Sequence, residues 1–367
     1  MAAPTEPTTQ LWLSSGNGPI SRTILSTPLR DAQPSEIPLI DVSGIFSPSL
    51  PARTAVAQQI RHAATTNGFF YMTNHGIPAP ITSAAHSAGL SFFRRPAEAK
   101  EPVRTTHSQH HKYKVGWKPA ATLRINPFES ADMRESFSWR YDPRYDPAVG
   151  RMENVPAEVA RYMKVDEDGF PWSKTGDLPE FEEAVVKCWQ AVLGLGRALV
   201  RSMALSLGLE EDAFDAKFTH PDAAVALNYY PSLEGGEGEG KDVSIGSHTD
   251  FQLFTILWQD EVGGLQVLDR EGQWLRAKPI PGAFVVNFAD YMQRITNDRY
   301  LSTVHRVQNA TGKERLSMAF FFGFNLNESC GVLDTCVKPG EEKKYDEISC
   351  QEWTQRRLKA MHTTKAE

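Results

Sequence analysis

From residue 225 onward the chain breaks into short runs of one kind, and nothing else in it narrows the architecture so far. Eight strand-like segments follow one another, at 225–230, 244–248, 253–258, 264–268, 273–278, 283–288, 303–308 and 316–323. Turn residues separate them, among them the Gly-rich stretch Gly235 to Gly240, Gly263-Gly264 and Asp269-Arg270-Glu271-Gly272. Eight antiparallel strands behind a helical half fit a double-sheet jelly roll with helices packed outside. The fold class expected is α+β: a double-stranded β-helix (jelly-roll) core, a helical N-terminal cap and a long supporting helix.

The half before residue 225 supplies the helices. Residues 1–35 carry Pro, Thr and Ser with little periodicity and read as a flexible arm. Ile37-Pro38-Leu39-Ile40-Asp41 reads as a short strand. Pro51 opens a helix whose Val56, Ile60, Ala63 and Ala64 keep helical spacing until Asn67-Gly68 stops it. Phe69-Phe70-Tyr71-Met72 reads as a buried strand, with a turn at Asn74-His75-Gly76, and a second helix runs from about Ala79 to Phe93. Residues 100–175 are the least regular, and a connection of that length suggests a functional loop or lid. The best helix begins at Asp177, with the apolar stripe Phe181, Val185, Cys188, Val192, Leu195, Leu199 and Met203. The organisation expected is an arm (1–35), a cap with a lid loop (36–175) and a long helix plus jelly roll (176–330). A C-terminal segment with a closing helix (331–367) completes it.

Strand geometry gives one short stretch a chemical meaning. In Gly246-Ser247-His248-Thr249-Asp250 the imidazole and the carboxylate stand two residues apart, so both point to the same strand face. His305, on a later strand, is placed to join them. Two histidines and one carboxylate that leave other metal positions open suit a non-haem Fe(II) oxygenase. Arg315 and Ser317 repeat the spacing with a guanidinium and a hydroxyl, suited to gripping a carboxylate. His220-Pro221-Asp222 has the metal spacing too, but Pro221 cannot donate to a strand ladder. His107, His110 and His111 cluster with no carboxylate at ligand spacing and read as loop residues.

Composition removes other classes. Over 367 residues, 41% apolar and 23% charged residues are ordinary for a globular protein with a sizeable core. A formal charge of −6 without a long basic run argues against nucleic acid as a partner. No apolar run approaches a membrane span, and Met1 to Gln10 lacks the apolar core of a signal peptide. Cys188, Cys330, Cys336 and Cys350 form no metal-ligand pattern and read as reduced thiols of a cytoplasmic protein.

Taken together, Ile37 to Phe324 resembles the isopenicillin N synthase-like family of Fe(II)/2-oxoglutarate-dependent dioxygenases. The resemblance rests on Ile37 to Asp41, Gly68 to Gly76, Leu227-Asn228-Tyr229-Tyr230-Pro231, His248-Thr249-Asp250, Gly263 to Val267, His305-Arg306-Val307 and Glu314 to Ser317. It implies Fe(II) on His248, Asp250 and His305, and 2-oxoglutarate held by Arg315 and Ser317, with Tyr230 and Asn228 assisting. It further implies O2 as co-substrate, ascorbate as a candidate reductant, and a small natural-product intermediate as substrate. Hydroxylation is the default outcome, with desaturation, epoxidation or ring rearrangement on the same chemistry.

The pattern departs from the family at Phe254, Trp117 and Ala289. Trp117, Phe254 and Phe324 are the candidate substrate-contacting residues. The loop's Lys112, Lys114, Lys118 and Arg124 would suit an anionic or phenolic handle if the loop caps the site. Two other readings compete: an Fe(II) oxidase of the same fold that does not use 2-oxoglutarate, and a non-catalytic jelly-roll binding protein. Oligomeric state is not legible.

Overall fold

The computed structural model describes residues 7–108, 115–163, 165–232, 244–309 and 311–362. All eight expected strands form, and they divide equally between two sheets. Asp222–Tyr230, Phe254–Gln259, Phe284–Phe288 and Arg315–Gly323 join the larger sheet. Ile245–His248, Leu265–Leu268, Trp274–Arg276 and His305–Val307 join the smaller. Apart from the hairpin turning at Asp269 to Gly272, each connection crosses from one sheet to the other, which is the jelly-roll winding. Gly235 to Gly240 lie outside the described residues, as do His110, His111, Lys112 and Lys114.

The N-terminal half lengthens the larger sheet at both edges. Leu39–Asp41 and Phe69–Thr73 continue it beyond Phe284–Phe288, while Glu135–Arg140 and Gly116–Lys118 continue it beyond Asp222–Tyr230. The irregular stretch at 100–175 thus contributes two strands rather than a loop alone. The signal was a period-two alternation: Phe137, Trp139 and Tyr141 are buried aromatics, and polar Ser136, Ser138 and Arg140 stand between them. The stretch read as a flexible arm contains a β-hairpin. Thr8–Leu13 pairs with Ile20–Leu25, and Leu11 and Leu13 bury against Leu268, Trp274 and Val304 of the smaller-sheet side. Two buried leucines are too few to show a periodicity, so only the tertiary contact reveals that hairpin.

Helices cover one face of the larger sheet. The long helix Pro179–Ser206 buries the whole expected stripe, Phe181 to Met203, and packs against the helices Leu50–Thr66 and Ala79–Phe93. Its aromatic contacts include Phe92 stacked on Phe181 at 4.6 Å between ring centroids. Gly196 lets the helix approach the sheet: a methyl added there would stand 2.8 Å from the Phe322 ring. Gly194, two residues earlier and so on another side of the helix, faces open space.

The two glycines therefore respond oppositely to substitution. Gly194→Ala should gain up to about 1 kcal/mol from helix propensity. Gly196→Val should lose about 1–3 kcal/mol from overpacking. Urea midpoints of the two variants decide it, and equal shifts would refute the close approach as the cause.

Candidate metal centre and substrate cavity

Alternation along each strand sorts the side chains of the larger sheet. Leu316, Met318, Phe320 and Phe322 enter the helix-side core. Arg315, Ser317, Ala319 and Phe321 face a cavity of about 240 Å³ between the sheets. The same parity puts Ala224, Ala226, Asn228 and Tyr230 in the cavity, along with Thr255 and Leu257. The smaller sheet contributes Ile245, His248, Leu265, His305 and Val307 from the opposite side.

His248, Asp250 and His305 come together at this cavity, with one ligand atom from each within 4.8 Å of the others. The two histidines are directly paired on neighbouring antiparallel strands, with ring centroids 4.3 Å apart. Asp250 sits in the loop just beyond His248, and each of its oxygens lies 3.8 Å from one histidine Nε2. His248 Nδ1 faces the Gly246 carbonyl at 2.7 Å, and His305 Nδ1 faces the Thr303 carbonyl at 3.1 Å. Each carbonyl can only accept, so Nδ1 carries the proton and both Nε2 lone pairs turn to the centre.

The carboxylate is oriented as firmly. Asp250 Oδ2 accepts from Thr255 Oγ1 at 2.6 Å and from Asn287 Nδ2 at 2.8 Å. Burial opposes its charge, but the His305 and His248 rings and these two donors hold its pKa below the ordinary carboxylate value. Burial and the facing His305 ring push the His248 pKa below its ordinary 6.5, with Asp250 only partly offsetting them. A neutral His248 imidazole beside an ionised Asp250 carboxylate is a combination that metal binding requires.

Deeper in the cavity, Arg315 is fully buried. Its Nη1 donates to Ser317 Oγ at 3.1 Å, Nη2 reaches Gln259 Oε1 at 3.5 Å, and the guanidinium lies 4.7 Å from the Tyr230 ring centre. Among the described residues its Nε has no hydrogen-bond partner, and the buried Tyr230 hydroxyl makes no well-formed hydrogen bond. Asn228 Oδ1 accepts from Arg134, a residue of the expected lid stretch that sequence reading passes over. Arg134 lines the cavity with Lys118, Leu123, Ile125 and Asp132.

The three candidate substrate residues are not in this cavity. Trp117 is buried in the helix-side core, where Nε1 donates to Glu135 at 2.6 Å; its neighbour Lys118 takes the cavity side. Phe254 stacks on Phe322 at 5.0 Å, on the sheet face opposite to Thr255. Phe324 lies beyond the strand end, 5.1 Å from Phe214 between centroids. Parity along the strands decides the first two, and the strand end at Gly323 decides the third. Phe69, Phe251 and Phe321 line the cavity together with Tyr230, and Thr354, Leu358 and Met361 of the closing helix Cys350–His362 form another wall. Arg124 is absent from that lining. The decoy His220 joins no metal-ligating cluster among the described residues; His107 lies 3.8 Å from Glu101.

A jelly roll whose cavity carries two histidines and an aspartate, with a buried arginine beyond them, defines the non-haem Fe(II) oxygenase class. Residues 221–324 match the family described as the 2OG-Fe(II) oxygenase superfamily, and residues 37–158 match the one described as non-haem dioxygenase in morphine synthesis, N-terminal. A 2-oxoglutarate-Fe(II) type oxidoreductase, ppzC, of Metarhizium majus is 51% identical over 96% of this chain and 94% of its own. Another, hxnY of Emericella nidulans, is 35% identical over 87% and 88%. Among solved structures, a full-length Neurospora crassa protein in complex with alpha-KG superposes with a TM-score of 0.74 at 25% identity. That match covers 92% of this chain and all of that one. The chain belongs to the 2OG-Fe(II) oxygenase superfamily. It is a 2-oxoglutarate-dependent dioxygenase, an oxidoreductase whose cofactors are Fe(II) and 2-oxoglutarate.

The lowered His248 pKa has a sign that can be measured without metal. The unfolded chain takes up a proton near 6.5 that folded His248 refuses, so stability is lost as pH falls below that value. Metal-free protein should lose up to about 1.4 kcal/mol per pH unit through this group between pH 6.5 and about 5. Denaturant midpoints across that range should fall more steeply for wild type than for His248→Gln; parallel slopes would remove His248 as the cause.

Proposed function

We propose that His248, Asp250 and His305 hold Fe(II), and that Arg315 and Ser317 grip the distal carboxylate of 2-oxoglutarate, with Tyr230 and Asn228 beside it. The observation that carries this reading is the buried Arg315 guanidinium, which has no carboxylate within ion-pair distance among the described residues. An unpaired buried cation is costly, and an incoming dicarboxylate is the partner that offsets the cost. The donor set at the metal site, two imidazoles and one carboxylate, fits Fe(II) with positions left for small ligands.

When bound, Fe(II) would activate O2 while 2-oxoglutarate gives up two electrons in its decarboxylation to succinate and carbon dioxide, so that one oxygen atom ends in succinate and the other oxidises the substrate. The chain's own residues orient and enclose. Thr255 and Asn287 fix the Asp250 carboxylate, and the Gly246 and Thr303 carbonyls fix the two rings. The small residues Ala224, Ala226 and Ala319 line the cavity and leave room in it, and Leu358 and Met361 form a wall. A small organic molecule fits that space, with hydroxylation as the default outcome. We take that molecule to be a natural-product intermediate. We place the protein in the cytoplasm: its four cysteines are free and buried, and among the described residues no helix is long and apolar enough to cross a membrane.

His248→Ala, Asp250→Ala and His305→Ala should each abolish turnover in a folded protein. Stoichiometric iron with full activity in any one of them would refute the ligand set.

Arg315→Ala removes one side of a buried charge pair, a loss of about 2–5 kcal/mol. At about 1.4 kcal/mol per decade, 2-oxoglutarate affinity should fall roughly 30-fold or more, with Arg315→Lys in between. Succinate formed per substrate oxidised tests the reading in wild type. Full-rate oxidation without 2-oxoglutarate would replace it with the oxidase.

A further inference from the structure

The loop carrying Asp250 is gripped from outside by the closing helix. Trp353 Nε1 donates to the Phe251 carbonyl at 2.8 Å, and Gln252 Nε2 donates to Thr354 Oγ1 at 2.8 Å. One turn further along the same helix is Arg357, which is 1% exposed. Its Nη2 reaches the Thr249 carbonyl at 3.4 Å and the Thr249 hydroxyl at 3.3 Å. Its Nε lies 2.9 Å from Asp290 Oδ2, an ionic contact rather than an aligned hydrogen bond. Asp290 in turn accepts from Thr249 Oγ1 at 3.2 Å and from Ser302 Oγ at 2.6 Å, and its backbone N–H donates to the Asp250 carbonyl at 3.0 Å. The guanidinium also lies 4.5 Å from the Phe251 ring centre, and its Nη1 donates to the Ser14 carbonyl at 2.7 Å.

Thr249 is the residue between the two ligands His248 and Asp250. A side chain that holds it from both its carbonyl and its hydroxyl fixes the turn by which the strand delivers both ligands. We propose that Arg357 is a positioning residue for the metal centre. Acting through Thr249 and Asp290, it holds the His248–Asp250 turn in the geometry that binds Fe(II). The inference rests on the ligand assignment above. It adds a function for the closing helix: one face builds the cavity wall through Leu358 and Met361, while the turn containing Arg357 sets the metal loop. Partners outside the ligand shell typically change metal affinity by about 10- to 100-fold when removed. The residue makes one ion pair and several long hydrogen bonds, so the lower part of that range is expected.

The test is anaerobic Fe(II) titration of the full-length chain with saturating 2-oxoglutarate, read by the visible charge-transfer band of the ternary complex, at a temperature where every variant is folded by circular dichroism. Arg357→Met, which keeps the stem and removes the charge, should weaken Fe(II) binding by about tenfold. Arg357→Lys should recover part of the loss. Arg356→Ala, on the same helix but exposed and paired with Glu352, should bind iron as wild type does. Should Arg357→Met fail to fold, Thr249→Val removes the hydroxyl that both Arg357 and Asp290 contact, and should weaken iron binding in the same direction. Wild-type iron affinity in whichever variant folds, even with a lowered melting temperature, would overturn the proposal and leave Arg357 a packing residue. His248→Ala separates the two levels: undiminished iron binding there defeats the ligand assignment itself, whatever Arg357 does.

Discussion

Both faces of the larger sheet are buried, and they are buried against different things. One face meets three helices through aromatic and branched side chains; the other meets a cavity through small and polar ones. Period-two alternation lets each strand serve both sides at once. Arg315–Gly323 shows this within nine residues, placing Leu316, Met318, Phe320 and Phe322 in the core and Arg315, Ser317, Ala319 and Phe321 in the cavity. A slip of one residue would put the guanidinium into hydrocarbon and a leucine into the cavity. The core therefore enforces the register on which the site depends.

Electrostatics at the centre follow from the same enclosure. Taking His248 out of water favours its neutral ring, and two neighbouring rings with two hydrogen-bond donors keep Asp250 ionised against its burial. The pairing of His248 with His305 across neighbouring strands fixes the ring spacing by backbone hydrogen bonds rather than by side-chain packing. A site held this way costs little reorganisation when metal enters. Outside it, the contacts of Asp290 and the closing helix tie the Asp250 loop to parts of the chain far away in sequence.

The segment at 100–146 shows where reading residues in order loses its grip. It was expected to reach the site through Trp117, and it does reach the site, but through Lys118, Leu123, Ile125, Asp132 and Arg134. A Trp and a Lys next to each other on a strand must face opposite ways, and the large apolar ring goes to the core. Phe254 fails beside Thr255 for the same reason. The alternation over Ser136 to Tyr141 carried enough information to identify a strand, while the sheet edge it joins did not follow from it.

The sequence by itself determined the eight-strand core, the long helix and its stripe, and the identities of His248, Asp250, His305, Arg315 and Ser317. Those features are local: spacing of two on a strand, or three and four on a helix, fixes which side chains share a face. The N-terminal hairpin, the edge strands Gly116–Lys118 and Glu135–Arg140, the placement of Arg134 and the grip of Arg357 on Thr249 were decided only by tertiary structure. Each depends on pairing between segments up to 343 residues apart, as between Arg357 and Ser14. No local period encodes such a pairing, because the free energy that selects it comes from burying faces that meet only once the chain has folded.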